Sequence, residues 1–580
     1  MTPSTKRDRL FVLLVVAMAT LFLFAKPIFD GEQFLYRDAA HFYHPSLKFA
    51  QAQWGKTLPS LQVPLWNSAE ELGRPLLADP TSALLYPGKL VFALSCSFDT
   101  SYSCYIIGHV LFAAFSAYVA SRMFGVNVLA SGLAGVSYAF GGAILFQYSN
   151  VIFLIGASWL PIGLALGWTS ISRKDWRYGV ACATVQAMMV LGGDPQMAYY
   201  LALLTFVGAI TIWIRHFDSN SSRSHKALLI AVACPALAVL LAAAQVFPSL
   251  EWTGQSSRHT APMLMGADHQ SPFVQPVVGS HQSKRYNFSI PPWRWAELLL
   301  PKFSGELFPE NHRWIGVLPA NDRTWAPSLY MGLLPLLLAI QRMRAPRDSL
   351  DRWLRAIVLI GFFGSLGWYG VGWLFNEVSA AFGGSARLWN PIGGFYWWLN
   401  SLLPVHGQFR YPAKMWTLAA CGTSLMAARQ AADQGPIQIT LQQAMRGTIL
   451  VGALCSVCCL FVVFQGHLDG RINSRLFGPL VAGGVWRDIC YSFAHVAIVG
   501  SAVALVALSS LRAQSKLMVF LIALTAELCA AHHRSVVTAD RSDWNSQTPL
   551  ISAIKAHAKA HGHEDIRVHR AIPRSVYPSE

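Results

Sequence analysis

The sequence predicts an all-α polytopic membrane protein. Of its 580 residues, 53% are hydrophobic and 13% are charged, whereas soluble domains carry about 25% charged residues. The apolar residues form runs of the length that a membrane-spanning helix needs, and one long polar stretch separates the first run from the others. Taking roughly 15 to 22 apolar residues as a span, these observations predict about 13 membrane helices, with a large loop after the first helix.

The first helix is predicted over residues 10–28, directly after Lys6, Arg7 and Arg9. This N-terminus has the charge pattern of a signal peptide, but the apolar run is long enough to span and no small-residue cleavage pattern follows it. Basic residues that flank membrane helices are retained in the cytoplasm. We therefore expect a cytoplasmic N-terminus and an extracytoplasmic loop over residues 30–88.

Further apolar runs predict the rest of the helical bundle, near residues 103–122, 128–147, 151–170, 178–192, 197–214, 227–247, 326–344, 354–375, 413–429, 447–465, 490–511 and 516–531. The connections that fall on the predicted inner side carry clusters of Lys and Arg, as the positive-inside rule requires. This placement accounts for the net charge of +16 without a nucleic-acid partner, which would need a basic face on a soluble surface.

The predicted outer side holds the longer and more polar connections, at residues 30–88, 248–325 and 376–412. We expect residues 1–533 to form one membrane domain. Residues 534–580 become polar and are expected to be a short extracytoplasmic tail with the composition of the start of a soluble domain.

The first outer loop contains the strongest candidate for catalysis. Its segment DAAHFYHPSLKFAQAQW, residues 38–54, has apolar residues at near-helical spacing and predicts an amphipathic helix on the membrane surface, and residues 84–98 predict a second. Asp38 begins the first segment, beside Arg37 and one helical turn before His41. A carboxylate held there can accept a proton from an attacking hydroxyl. The alternative is a solvated acid that pairs with Arg37.

Other polar residues of this loop are secondary candidates. Asp30 and Glu32 offer hard oxygen ligands that suit Mg²⁺ or Mn²⁺, although an interfacial turn explains the same pattern. His41 and His44 share a helical face, but two histidines without a third ligand make a poor zinc site, so packing or a phosphate contact is the alternative. Asp79 is a further acid of the loop.

Basic residues on the predicted outer side run against the positive-inside trend. They are Arg258, Lys302, Arg410 and Lys414. Guanidinium groups bind phosphate through paired donors, and a lipid phosphate lies at that depth, so these residues predict a phosphate site. Contact with ordinary anionic lipid is the alternative. Phosphate-loop, dinucleotide, zinc-helix and nucleophile-elbow motifs do not occur in the sequence, which weighs against ATP-driven transport.

A series of short motifs then runs along most of the chain. They are PLWN at 64–67, GRPL at 73–76, LYP at 85–87, GGDPQMAYY at 192–200, SLYMGLLPLLLA at 328–339 and LPVHGQFRYPAKM at 403–415. In content and order they resemble the bacterial YfhO-like membrane proteins, which are placed with the GT-C glycosyltransferases.

This resemblance implies a GT-C-like fold and an inverting enzyme of the bacterial cytoplasmic membrane. Such an enzyme transfers a sugar from a polyprenyl-phosphate donor to a glycan, polymer or protein acceptor of the cell envelope, on the outer face. An acid in the first outer loop acts as the base, which corresponds to Asp38. Basic residues stabilise the departing lipid phosphate, which corresponds to Arg258 and Arg410, with Lys414 beside them. Asp30 and Glu32 match the acidic pair of some GT-C enzymes only loosely, so metal dependence stays open.

Two other classes of function remain compatible with the residues. A transporter or a flippase for lipid-linked glycans would use charged residues within the spans, and Asp194 and Glu527 are the chief examples. A noncatalytic assembly protein of the envelope is the third possibility.

Overall fold

The computed structural model describes residues 6–57, 62–70, 73–215, 222–255, 275–276, 280–317, 324–385, 387–434, 473–474, 478–544, 546 and 548–562. Within these ranges the protein is mostly α-helical. The strands are short: Gln33–Phe34 pairs with Thr538–Ala539, Trp66–Asn67 with Arg74–Pro75, and Asn473–Ser474 with Gly478–Pro479, all antiparallel.

The helices follow the apolar runs of the sequence. Their bounds are Lys6–Leu23, His44–Thr57, Phe98–Met123, Val128–Ala139, Gly142–Leu145, Val151–Arg173, Trp176–Leu191, Pro195–Arg215, Ser222–Leu241, Ala243–Gln255, His281–Lys284, Leu333–Arg344, Ser349–Leu366, Val371–Ala381, Phe395–Leu402, Trp416–Gln434, Ala482–Leu508, Ala513–His532, Arg541–Trp544 and Pro549–Ala560.

Several of these helices have the length and composition of membrane spans. In the described part of the chain, five helices qualify singly, or up to eight if each bent pair is one span. This confirms the polytopic helical class, although fewer spans qualify than the predicted 13 or so. Helix Lys6–Leu23 begins with four charged residues in a row, and Leu333–Arg344 has only 12 residues. The predicted span 447–465 lies outside the described residues.

Three predicted spans are broken in the middle. Val128–Ala139 meets Gly142–Ser149 at 53°, His225–Leu241 meets Ala243–Gln255 at 83°, and Ser349–Leu366 meets Val371–Ala381 at 53°. The third break contains Gly367, whose φ of +49° favours glycine. Non-helical backbone at membrane depth is tolerated only against protein or a water-filled cavity, so the breaks indicate where such surroundings lie.

The connections gather at the two opposite ends of the helices. At one end, Leu35 N–H donates to Val537 O at 3.0 Å, and Ser249 Oγ donates to Ala78 O at 2.7 Å. These bonds join the first loop to the start of the 248–325 connection and to the tail. We call this end the loop face.

The other end of the helices holds the basic connections. There Gln514 Nε2 donates to Asp8 Oδ1 at 2.8 Å. Arg342 and Arg429 both pair with the buried Asp351, each at 2.7 Å. The loop face and this basic end are thus opposite surfaces of one helical bundle.

The core surrounds helix Val151–Arg173, whose membrane-length window is 78% buried. By contrast, Leu13, Leu14 and Met18 of the first helix are exposed, as residues that face lipid are. The predicted amphipathic segment 38–54 forms a π-helical turn over Ala39–Tyr43 followed by helix His44–Thr57. The second predicted segment forms a 3₁₀ helix over Pro87–Ala93.

Candidate active site

Asp38 lies on the loop face at the start of the turn Ala39–Tyr43 and is partly exposed. Asn150 Nδ2 donates to Asp38 Oδ2 at 3.1 Å, and Tyr43 OH donates to Asn150 Oδ1 at 2.8 Å. Among the described residues no cation pairs with this carboxylate. The arrangement fixes one carboxylate oxygen and leaves the other available to a proton donor.

Tyr43 is the buried support of this arrangement, with 4% of its surface exposed. Burial is the main cause that raises the pKa of Tyr43 well above its ordinary value. The negative charge of Asp38 raises the pKa further, and Tyr102, Asp194 and Tyr411 make smaller contributions in the same direction. The hydroxyl therefore stays protonated and can only be the donor to Asn150.

Arg37 does not form the ion pair with Asp38 that the sequence left open. Its backbone has a left-handed φ of +52°, and its Nη1 donates to the carbonyl oxygens of Thr324 and Trp325, each at 3.2 Å. The guanidinium also lies 5.1 Å from the centroid of the Phe288 ring. Arg37 thus ties the first loop to the segment that precedes helix Leu333–Arg344.

Lys414, which was predicted to bind a phosphate, pairs with a carboxylate in this structure. Its Nζ lies 2.5 Å from Asp194 Oδ1, and both side chains are at most 1% exposed. The ammonium also lies 3.8 Å from the centroid of the Phe153 ring. A buried ammonium requires a counter-charge, and Asp194 supplies it, so Lys414 is a structural cation of the loop face in this structure.

Asp194 reaches this position because the neighbouring helix carries no side chain there. A Cβ on Gly156 would lie 2.1 Å from Asp194 Oδ2, so only glycine leaves room for the carboxylate. Asp194 Oδ1 also accepts the N–H of Met197 at 3.0 Å, which caps the helix that begins at Pro195. The GGDPQ motif therefore folds as a helix boundary that places a buried acid.

Arg410 lies beside a second arginine that the sequence reasoning missed. Its Nε and Nη2 lie 3.1 and 3.0 Å from Nδ1 of His281, and Gln196 Nε2 donates to its carbonyl oxygen at 3.1 Å. Burial is the main cause that lowers the pKa of Arg285, and the positive charge of Arg410 acts in the same direction. Within the described ranges neither arginine has a carboxylate partner. The Arg285 guanidinium lies against Gly407, three residues before Arg410, where a Cβ would be 3.2 Å from its Nη2. Two guanidinium groups in one part of the loop face without an acid form a site for an anion. Arg258, the other predicted phosphate ligand, lies outside the described residues.

Aromatic side chains connect the two halves of the site. The ring of Tyr411, the neighbour of Arg410, packs against Phe153, Phe288 and Trp325 with centroid distances of 6.4, 5.0 and 5.6 Å. Phe288 is the ring under Arg37, the neighbour of Asp38. The candidate base and the arginine pair therefore lie on one continuous region of the loop face.

The secondary candidates are distributed around this region. Asp79 caps the turn Pro80–Ser82, accepts Thr81 N–H at 2.9 Å and pairs with Arg74. His44 is buried, and its Nε2 lies 2.9 Å from Asp99 Oδ1. His41 is exposed. The structure thus uses Asp79 and His44 in local packing and leaves His41 at the surface.

Asp30 and Glu32 do not provide a fit for a divalent cation. Glu32 forms an ion pair with Lys26 at 3.2 Å and accepts a hydrogen bond from the hydroxyl of Thr538. Asp30 is exposed. In the described part of the chain no group of three or more His, Cys, Asp and Glu side chains is placed to hold a metal. A cation at Glu32 would have to displace Lys26.

The fold and the site together define an all-α polytopic membrane protein with a polar site on one face. No protein-family model matches the chain, and no curated protein matches it either.

Among solved structures, the chain is similar to ArnT from Cupriavidus metallidurans bound to undecaprenyl phosphate. The identity is 11% and the TM-score 0.46, over 90% of this chain and 77% of that one. It is also similar to the oligosaccharyltransferase of Archaeoglobus fulgidus in its apo form, with 12% identity and a TM-score of 0.38. A third similar structure is AglB from the same organism in complex with an inhibitory peptide and a dolichol-phosphate, with 12% identity and a TM-score of 0.39. Both comparisons cover 95% of this chain, which spans 60% of the length of each archaeal chain. At these scores we draw nothing about activity from the likeness.

Proposed function

We propose that the protein is a membrane glycosyltransferase that transfers a sugar from a polyprenyl-phosphate donor to an acceptor hydroxyl at the loop face, with Asp38 as the general base. One observation carries the proposal. The described structure has a partly exposed carboxylate, Asp38, without a cation partner on the same face as Arg285 and Arg410, which have no acid partner. A base and an anion site are the two elements that such a transfer needs, and the sequence resemblance supports the same reaction.

In the proposed reaction the acceptor oxygen attacks the anomeric carbon of the donor while its proton moves to Asp38. The bond between that carbon and the phosphate oxygen breaks, and its electron pair leaves on the polyprenyl phosphate. Attack from the side opposite the leaving group inverts the configuration at the carbon. A positioned general base contributes about 10²- to 10⁴-fold to the rate of such a reaction.

Asn150 and Tyr43 have positioning roles in this scheme. Asn150 donates to one oxygen of Asp38, and Tyr43 fixes the orientation of the Asn150 amide. Because the amide occupies one oxygen, the proton is received by the other.

The departing phosphate gains negative charge as the bond breaks, and the arginine pair would stabilise that charge. Fixed cations at the point where charge develops lower the barrier more than they favour the bound donor. Arg410 and Arg285 are the proposed ligands, and Arg258 stays a predicted third. Lys414 acts on the site indirectly, through its ion pair with Asp194.

A lipid-glycan flippase is the second candidate, because Glu527 lies buried within helix Ala513–His532. Tyr330 OH donates to this carboxylate, and so does the backbone N–H of Leu333 at 2.7 Å. These two donors satisfy Glu527 as a structural acid would be satisfied. Glu527→Gln separates the functions, since a flippase that uses this acid would stop moving lipid whereas a transferase would retain glycoside formation.

The proposal is tested with protein purified into lipid nanodiscs and a panel of radiolabelled polyprenyl-phosphate sugars, with envelope glycans and lipids as acceptors. Formation of a new glycosidic bond that requires both donor and protein supports the transferase. Movement of lipid-linked sugar across the membrane of proteoliposomes without any new bond would contradict it. Glu377→Gln, a change at an exposed acid, is the control for loss of a carboxylate.

A further inference from the structure

The helix Pro549–Ala560 lies at the surface of the protein, beyond the strand pair that joins the tail to the first loop. It is 12 residues long and has no buried residue, and Leu550 and Ile551 keep 69% and 41% of their surface exposed. An isolated helix of fewer than about 12 to 15 residues is only marginally stable in water. This helix therefore needs a surface that covers one of its sides.

The apolar residues of the helix share one side. Leu550, Ile551 and Ile554 recur at the three- and four-residue spacing that places side chains together on a helix. His557 and His561 continue this side toward the C-terminal end, and the centroids of their rings lie 4.2 Å apart. Imidazole has an apolar body and a polar tip, so this side suits a boundary between hydrocarbon and water.

All the formal charge of the helix is positive. Ser552, Lys555 and Lys559 share the other side at the same spacing, and residues 549–562 contain no Asp or Glu. An amphipathic helix with lysine on its polar side is typical of segments that lie in the plane of a membrane surface. The lysines, with no acid beside them, favour lipids that carry a negative charge.

The preceding part of the tail is held at the end of a membrane span. Arg541 Nη2 donates to Ser97 Oγ at 3.1 Å and to Asp99 Oδ2 at 3.2 Å. Ser97 caps the span Phe98–Met123, and Asp99 lies in its first turn. The helix Arg541–Trp544 is thus fixed near the level at which this span meets the membrane surface.

The helix Pro549–Ala560 begins close to that level. Five Cα–Cα steps separate Trp544 from Pro549, which limits the distance between their Cα atoms to about 18 Å. Leu90 and Leu94, which precede the span Phe98–Met123, keep 73% and 58% of their surface exposed, as residues that contact lipid do. Lipid is therefore within reach of the apolar side of the helix.

We propose that helix Pro549–Ala560 docks on the anionic lipid surface of the membrane beside the loop face. Its apolar side enters the acyl layer, and Lys555 and Lys559 bind lipid phosphates. A second copy of the helix is a poorer partner, because it would bring lysines of like charge together. The docked helix holds the tail against the membrane and, through the pairing of Thr538–Ala539 with Gln33–Phe34, the first loop as well. The inference does not depend on sugar transfer.

The test is hydrogen–deuterium exchange of the full chain in lipid nanodiscs, because exchange of residues 549–560 reports how often the helix opens. Nanodiscs of phosphatidylcholine alone are compared with nanodiscs that also contain phosphatidylglycerol. We expect slower exchange in the anionic nanodiscs. There Lys555→Gln and Lys559→Gln should each raise the exchange rate about fivefold, the effect of losing the attraction of one lysine to an anionic surface.

A second pair of changes tests the apolar side. Leu550→Ala with Ile554→Ala keeps a high helix propensity, so residues 549–560 should exchange faster in both lipids through lost contact with lipid. Lys56→Gln, at an exposed position of helix His44–Thr57, should leave the exchange of 549–560 unchanged. Exchange within the span Val151–Arg173 should be the same in all variants, which checks that they fold.

Four results would each overturn the inference. Residues 549–560 could exchange at the unprotected rate in both lipids, or the two lipids could give the same exchange. The alanine pair could exchange like the unaltered protein. Finally, protection could require two copies of the protein in one nanodisc, which would show contact between copies in place of lipid.

Discussion

The buried ion pair of Lys414 and Asp194 predicts how much free energy of unfolding the protein loses when one partner is removed. Replacing Lys414 by Met keeps the approximate length of the side chain and removes its charge. Asp194 would then be a carboxylate of 1% exposure whose Oδ2 already has no hydrogen-bond partner among the described residues. Breaking a buried pair by removing one partner costs about 3 to 5 kcal/mol. We expect a loss of that size in the free energy of unfolding.

The assay is equilibrium unfolding in mixed detergent micelles, followed by circular dichroism. The double variant Lys414→Met with Asp194→Asn removes both charges, so we expect it to be more stable than the sum of the single losses predicts, by about 0.5 to 3 kcal/mol. Lys48→Met, at an exposed position of helix His44–Thr57, is the control. If Lys414→Met stayed within about 0.5 kcal/mol of the unaltered protein, as ordinary surface changes do, the pair would not support the loop face.

Three further predictions concern the same face. Gly156→Ala places a Cβ 2.1 Å from Asp194 Oδ2, so it should destabilise the protein by about 1 to 3 kcal/mol in the same unfolding assay; an unchanged stability would contradict the packing described. Arg285→Ala should slow transfer at saturating donor about 10- to 1,000-fold, measured with the donor panel, whereas a change confined to the acceptor KM would place Arg285 elsewhere. Burial lowers the pKa of the His44 imidazole, so the free energy of unfolding should decline as the pH falls through about 6.5, the pKa of a histidine in the unfolded chain. His44→Gln should lack this pH dependence, and identical pH profiles for the two proteins would refute the prediction.

Much of the helical fold was predictable because membrane helices are encoded by long apolar runs. Helix Val151–Arg173 begins where the predicted span 151–170 begins, and the positive-inside pattern separated the two ends of the bundle. The breaks were harder to predict. The helix over 227–247 bends by 83° between Leu241 and Ala243, although the sequence there, LLAAAQ, has no local helix-breaking residue.

The site was predictable only in part, because its contacts join distant segments. The sequence singled out Asp38, but its partner Asn150 lies 112 residues later, and no local pattern connects them. Lys414 was predicted as a phosphate ligand on the outer side, whereas its pairing with Asp194, 220 residues away, depends on tertiary packing. Arg285 was missed because nothing in its neighbouring sequence shows that it adjoins Arg410.

The pairing of the tail with the first loop was also beyond local pattern. Thr538–Ala539 pairs with Gln33–Phe34, two segments of two residues each at opposite ends of the chain. Arg541 Nη2 further donates to Asp99 Oδ2 at 3.2 Å, and Asp99 is the partner of His44. The polar composition of 534–580 predicted an outer tail but not that its first residues would pair with the first loop.

Asp38 is the proposed base of the sugar transfer, and the transfer rate of Asp38→Asn tests that role most directly. Asparagine keeps the shape of the side chain and its contact with Asn150 but cannot accept a proton. We predict that the rate from a polyprenyl-phosphate sugar falls about 10²- to 10⁴-fold, while the affinity for the donor stays within a few fold and Glu377→Gln retains full activity. Transfer by Asp38→Asn near the unaltered rate would contradict the assignment.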